Sequence, residues 1–423
     1  MIKHFTTILF LAFVGLGFTA NAQTYTEKTI DMKPGFSDQV FYSMKNGEAG
    51  RSSIYNWDIA FTTNLRDNGV RANHMNGIEV YAYPNGDISD WATMDTTGWK
   101  KFPKYYNSNK HLDSGAFNLA KDPNNMWDFS WGVYNVQTHA VTGDSLYLLA
   151  FKDQSQQITS FKKFWLVNQT SANGNLTIRM ANLDNTQDTI VEIVNAGAKY
   201  NFTYFSFKTM KTVSREPIKT DWDITFTRWM QYLGPFSPIP YFPSTGVHSN
   251  YNTLVAKNHT LPANEINPWN EKANAKNEHF LIGVDWKWND RQTHVTYLED
   301  SLTYIVFKDS AAMEAHPFYF SSYEGSSTGI IKINVGEVNL GINGPETNNL
   351  VVFPNPVKEG DDLTFSSKTH SIDNSYIEIV NVNGQLVYTS NYKNKISPNL
   401  VSGLYFLKVI SADGIATSKL IVQ

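Results

Sequence analysis

The sequence predicts an all-β protein, two tandem β domains followed by a small C-terminal β-sandwich. Three observations carry this reading. Runs of β-branched and aromatic residues bounded by Gly, Asn, Asp and Pro recur along the chain, long stretches of helical periodicity are missing, and four sequence words occur twice in one order. WDIAFTT from Trp57 returns as WDITFTR from Trp222, and NGVRAN around Gly69 as TGVHSN around Gly246. QTHAV with His139 returns as QTHVT with His294, and DSLYLLAFKD from Asp144 as DSLTYIVFKD from Asp300. Trp131 precedes Gln137 by six residues, as Trp286 precedes Gln292. Such order and spacing mark a tandem duplication, in which each copy is a control for the other.

In chain order, residues 1–22 read as a secretory signal: Lys3, an apolar run from Ile8 to Phe18, and a small-residue cleavage pattern at Ala20-Asn21-Ala22. Copy one is assigned to residues 23–186, with strand runs FYSMK, IEVYAY, SLYLLAF, KFWLV and LTIRM. Copy two is assigned to 187–340, with YFSFK, LTYIVF and IIKINV, and the joint is expected near 184–187. Trp57 and Trp222 are expected at equivalent places, each buried against the aromatic strand that opens its copy. One difference is large. Trp57 lies twelve residues before Gly69, whereas Trp222 lies twenty-four before Gly246. The additional stretch 232–244 carries four prolines and reads as an irregular loop. Its Tyr232, Phe236, Tyr241 and Phe242 are candidates for stacking on a ligand; the alternative is that they cover a seam between domains.

Residues 341–349, polar and rich in Gly, Asn and Pro, read as a linker. From Leu350 all tryptophan disappears, and VVFPNPV, LTF, IEIVNVNGQLVY, SGLYFLKVI and KLIVQ follow between turn residues. These elements closely resemble the type A sorting domain of the type IX secretion system. The resemblance implies passage across an outer membrane, engagement of the secretion machinery and its sortase, and release or attachment to surface lipopolysaccharide. An extracellular or outer-surface location follows from it.

The patterns FYSMKNG…YNWDIAFTT…NGV and YFSFKTMKTVS…TDWDITFTRW, with the later W-x5-QTHxVT-x-DSLYLLAFKD, resemble the HmuY-like family of surface haem-binding proteins. The resemblance implies an all-β fold and a binding role. The family's usual axial ligand would fall near Gly132 in copy one and Lys287 in copy two, and neither is an ordinary haem ligand. Haem therefore stands as the alternative ligand, using non-equivalent residues such as His74, Met75 or His139.

Other candidates divide by the same control. His139 and His294 recur, so they are ligands to haem or a metal, or else fold-defining turn residues. Asp58 and Asp223 recur without a second carboxylate nearby, which favours acceptors of backbone N–H groups over catalytic acids. Ser145 and Ser301 follow an Asp in an ordinary turn pattern, unlike a nucleophile elbow; DSL also fits a short O-glycosylation pattern. His74, Met75 and His248 are private to one copy, and His259 with His279 lack zinc spacing. No cysteine is present, which excludes disulfides, thiolate catalysis and a lipid-anchor cysteine. Net charge is −4 with charges mixed, so nucleic acid is not an expected partner, and no mature segment has the length of a membrane span. The expectation is a non-enzymatic ligand-binding or adhesion protein with no assigned metal.

Overall fold

The computed structural model describes residues 24–423 apart from 252, 261, 291, 309–313, 337, 340–349, 367–374, 392, 394 and 412–413. The signal and linker assignments lie outside the described residues. The architecture is all-β, and every helical piece among the described residues is a short 3₁₀ turn, the longest being Pro268–Asn274. Residues up to Val338 form one unit and Asn339–Gln423 another.

The larger unit has two lobes, each a four-stranded antiparallel sheet packed on a larger one. In the first lobe Lys211–Val213, Phe202–Ser206, Ile59–Thr62 and Val70–Ala72 form the small sheet. The large sheet runs Thr189–Ile193, Leu176–Asn182, Ile158–Thr170, Leu146–Lys152, Ile78–Ala82 and Lys104–Tyr105. Ile59, Phe61 and Phe205 meet Tyr147, Leu149, Phe164 and Ile178 between them. Leu146, Leu148 and Ala150 point the other way, under Trp91, Met94 and Phe102. Burial on both faces explains why SLYLLAF reads as an unbroken apolar run rather than an alternating one.

The second lobe repeats this plan. Its small sheet runs Tyr241–Ser249, Ile224–Tyr232, Asp38–Ser43 and Gly47–Ser53, and its large sheet Tyr25–Asp31, Ile330–Gly336, Glu314–Tyr323, Thr303–Lys308 and Thr253–Asn258. Ile224 and Phe226 occupy the places of Ile59 and Phe61, and Trp286 is buried as Trp131 is.

The copies are interlocked. Tyr25–Asp31 opens copy one, yet it pairs with Ile330–Gly336 at the end of copy two, Thr29 opposite Lys332. Asp38–Ser43 pairs with Ile224–Tyr232. Reciprocally, Thr189–Ile193 and Phe202–Ser206 open copy two and pair with Leu176–Asn182 and Ile59–Thr62 of copy one. Each copy thus lends its first three strands to the other's lobe. The expected joint near 184–187 does not separate the lobes: residues 189–213 complete the first, and the chain crosses to the second after Val213. Connection length explains this. A six-residue turn joins Asn182 to Thr189, so the strand nearest in sequence takes the open edge of copy one as a hairpin. Copy one's own opening strands are left to cover the equivalent edge in copy two.

The smaller unit is the expected sandwich. Val351–Phe353, Leu363–Ser366 and Lys395–Ile396 form one sheet, and Leu386–Asn391, Tyr376–Asn381, Gly403–Ser411 and Gly414–Val422 the other. Leu363, Ile377, Ile379, Leu407 and Leu420 fill its core. Asn355 of the FPNP word donates to the Lys419 carbonyl at 2.6 Å and accepts from Ile421 N–H at 2.9 Å, which ties that word to the final KLIV strand.

Candidate functional site

The repeated residues prove to be joints of the fold. Asp58 accepts the backbone N–H of Phe207 and the side-chain amide of Asn76, while Asp223 accepts the N–H of Met44 at 2.8 Å. Phe207 and Met44 follow the exchanged strands Phe202–Ser206 and Asp38–Ser43, so each aspartate holds a strand lent by the other copy. Asn73 and Asn250, the last residues of NGVRAN and TGVHSN, donate to the carbonyls of Trp57 and Trp222 at 2.9 and 2.8 Å. Trp222 is buried edge-to-face on Phe41 and Trp57 half-buried edge-to-face on Tyr204, with ring centroids 5.1 and 5.2 Å apart. The two tryptophans are equivalent, but each packs on the strand of the opposite copy.

His139 and His294 sit at exposed hairpin turns with φ of 51° and 56°. In both turns a side-chain oxygen, from Asn135 or Asp290, accepts the N–H two residues on at 2.8 Å. Left-handed backbone at a fixed turn accounts for their recurrence. Neither lines the cavity between the lobes.

His74 and Met75 do, together with His248 and His279, Trp57 and Trp222, and this cavity is about 100 Å³. The Nδ1 of His74 lies 2.8 Å from the Ile78 carbonyl, so it carries the proton and leaves Nε2 as a bare acceptor. That Nε2, the Nε2 of His248, and the indole N–H groups of Trp222 and Trp229 are buried without a hydrogen-bond partner among the described residues. Burial pushes His74 down to about 4, and pushes His248 and His279 well below the ordinary histidine range, keeping all three neutral. Arg215 crosses the same seam, donating to Asn56, Gln39 and the Ser53 carbonyl with its guanidinium over the Tyr204 ring.

Residues 233–240 of the segment expected as an irregular loop lie in no strand, as expected, but they close a β-hairpin whose strands take in Tyr232 and 241–244. Ile224–Tyr232 and Tyr241–Ser249 pair along their whole length, out to Tyr232 opposite Tyr241. Pro243 is accommodated because Tyr241–Ser249 is an edge strand, where its missing N–H costs no ladder bond. Its rings divide between the two expectations. Tyr241 stacks on Tyr106 of the first lobe at 3.7 Å, which is a seam contact. Phe236 at the tip is 99 % exposed, and Tyr232, Leu233, Ile239 and Phe242 are exposed too.

Sequence reasoning missed a second cleft, of about 560 Å³, lined by Arg228, Lys287, Phe36, Phe242, Trp288 and Tyr323 among others. Burial pushes the Lys287 ammonium down to about 7; its Nζ donates to the Thr245 carbonyl at 2.6 Å and sits over the Trp286 ring. The signal was present in the repeats, since Thr63 and Gly132 hold these two places in copy one. What the sequence could not supply was Phe36, which arrives by strand exchange. Among the described residues no group of three metal-ligating side chains gathers, and no helix is long and apolar enough to cross a membrane.

A comparison with curated proteins found no match. Residues 351–423 match the family model of the secretion system C-terminal sorting domain, so the chain carries the type IX export signal and is secreted to the cell surface or the extracellular space.

Proposed function

We propose that the chain is a non-enzymatic binding or adhesion protein outside the cell, with two interlocked HmuY-like lobes and the 224–249 hairpin as a contact arm. The observation that carries this is the hairpin tip, where Leu233, Phe236 and Ile239 stand exposed on a proline-stiffened turn. Prolines reduce the conformational entropy lost on contact. The engagement of Asp58 and Asp223 with backbone N–H groups supports a role other than catalysis. Sortase removal of the tail and attachment to lipopolysaccharide belong to the same reading. The test compares attachment to polystyrene of producing cells carrying the natural gene or the triple variant L233S/F236S/I239S. The expected result is several-fold fewer attached cells at equal surface protein and melting temperature; equal attachment contradicts the reading.

A second reading, haem capture, is favoured by the partnerless Nε2 atoms of His74 and His248 facing one cavity beside Met75. That cavity is well below the roughly 300–1,000 Å³ of small-molecule sites, so haem entry requires the seam to open. Titration with haem, read as a shifted Soret band lost in H74A/H248A, tests it; an unshifted band counts against it.

A further inference from the structure

We infer that the second-lobe cleft between Arg228 and Lys287 is a binding site for an acidic saccharide, a sugar ring bearing a carboxylate. The inference goes beyond the adhesion reading and is independent of the hairpin tip, whose substitutions leave both cations in place.

The cleft, at about 560 Å³, has the size of a small-molecule site. Among the described residues two cations line it and no carboxylate does. Neither Arg228 nor Lys287 forms an ion pair among the described residues. One Arg228 terminal nitrogen donates to the Gly35 carbonyl at 3.2 Å, while its Nε is buried without a partner among the described residues. Among the described residues, Lys287 has the Thr245 carbonyl and the faces of Trp286 and Tyr323, at 4.0 and 5.2 Å. A cation held away from water without an anion is costly, and a ligand carboxylate offsets that cost through charge-assisted hydrogen bonds. Burial is what pushes the Lys287 ammonium down to about 7.

The walls specify more than an anion. Phe242 and Trp288 are about half exposed, at 48 % and 51 %, and Phe36 lies parallel to Tyr323. Flat apolar faces beside two cations suit a ligand that is flat on one side and anionic at one edge. A bare inorganic anion would leave the rings unused.

The internal control points the same way. Arg228 stands where copy one has Thr63 and Lys287 where it has Gly132, and Phe242 lies in the extension of the 224–249 hairpin, whose copy-one equivalent, Ile59–Thr62 with Val70–Ala72, is much shorter. In the first lobe a Cβ at Gly132 would come within 2.3 Å of the Thr142 carbonyl oxygen, so no side chain of any kind fits there. Three features private to copy two therefore converge on one cleft, and a purely structural demand shared by both lobes does not explain them.

The test is calorimetric titration of the full chain, without its signal, using a galacturonic-acid oligosaccharide. The fully methyl-esterified oligosaccharide, inorganic phosphate and protoporphyrin serve as comparison probes. The expected result is binding of the acid form that falls at least tenfold in R228T/K287M, weakens in W288A and declines with salt. The ester should bind at least tenfold more weakly than the acid. Near-ultraviolet circular dichroism checks the fold of each variant, and R228Q alone is the substitute where the double variant unfolds. No binding of the acid, equal binding of the ester, equal binding of phosphate, or binding of protoporphyrin alone overturns the inference.

Discussion

The carboxylate of Asp58 accepts the backbone N–H of Phe207, a residue that sequence places in the other copy of the repeat. Asp223 does the same for Met44. Because each aspartate fixes a lent strand, D58A and D223A are expected to cost about 1–3 kcal/mol each, the usual penalty for orphaning a buried donor. Urea unfolding measures this, and a neutral effect in both would remove the joint.

The two tryptophans should respond unequally. Trp222 is buried and Trp57 only half-buried, so W222A is expected to cost about 3–5 kcal/mol and W57A less. Thermal unfolding of the two variants gives the comparison, and the opposite ranking contradicts the packing described here.

Tyr241 and Tyr106 offer a direct measure of the seam. Their stacked rings predict a coupling of about 0.5–1.5 kcal/mol in a Y241A/Y106A double-mutant cycle. F236A, at the exposed tip, should change stability by less than about 0.5 kcal/mol. A large loss in F236A would place the tip in the seam instead.

Acid should loosen the seam before the rest. His74 is held down to about 4, and His248 lies well below the ordinary range, both chiefly by burial. The unfolded chain takes up these protons near about 6.5. Between about 4 and 6.5 the unfolded state therefore binds more protons, and stability falls as pH drops through that window. Unfolding midpoints at pH 7 and pH 5 should differ less in H248F than in the natural protein, and equal differences would exclude His248 as a contributor.

Strand content, the duplication and the sorting sandwich were legible because each rests on local pattern: alternation, repeated words, turn residues. The partners of the strands were not. Tyr25–Asp31 reads the same whichever edge it covers, and only the short turn between Asn182 and Thr189 decides the matter. The site was half legible for the same reason. His74 and His248 were visible as private residues, and the structure brings them to one cavity. The rings of 232–244 were visible, but their division between seam and solvent depends on Tyr106, which nothing in the sequence ties to Tyr241. Arg228 and Lys287 drew no notice as a pair because they lie far apart in sequence and meet Phe36 only after the exchange.

That exchange underlies both the fold and the Arg228 cleft, and the absence of cysteine makes it directly measurable. Thr29 lies opposite Lys332, and Glu192 opposite Thr177. Disulfide trapping in the paired variants T29C/K332C and E192C/T177C, read by peptide mass spectrometry, is predicted to give an intrachain bond in each. The unexchanged alternatives, T29C/T177C and E192C/K332C, should stay reduced. Bond formation in the second set with none in the first would contradict the interlocked arrangement.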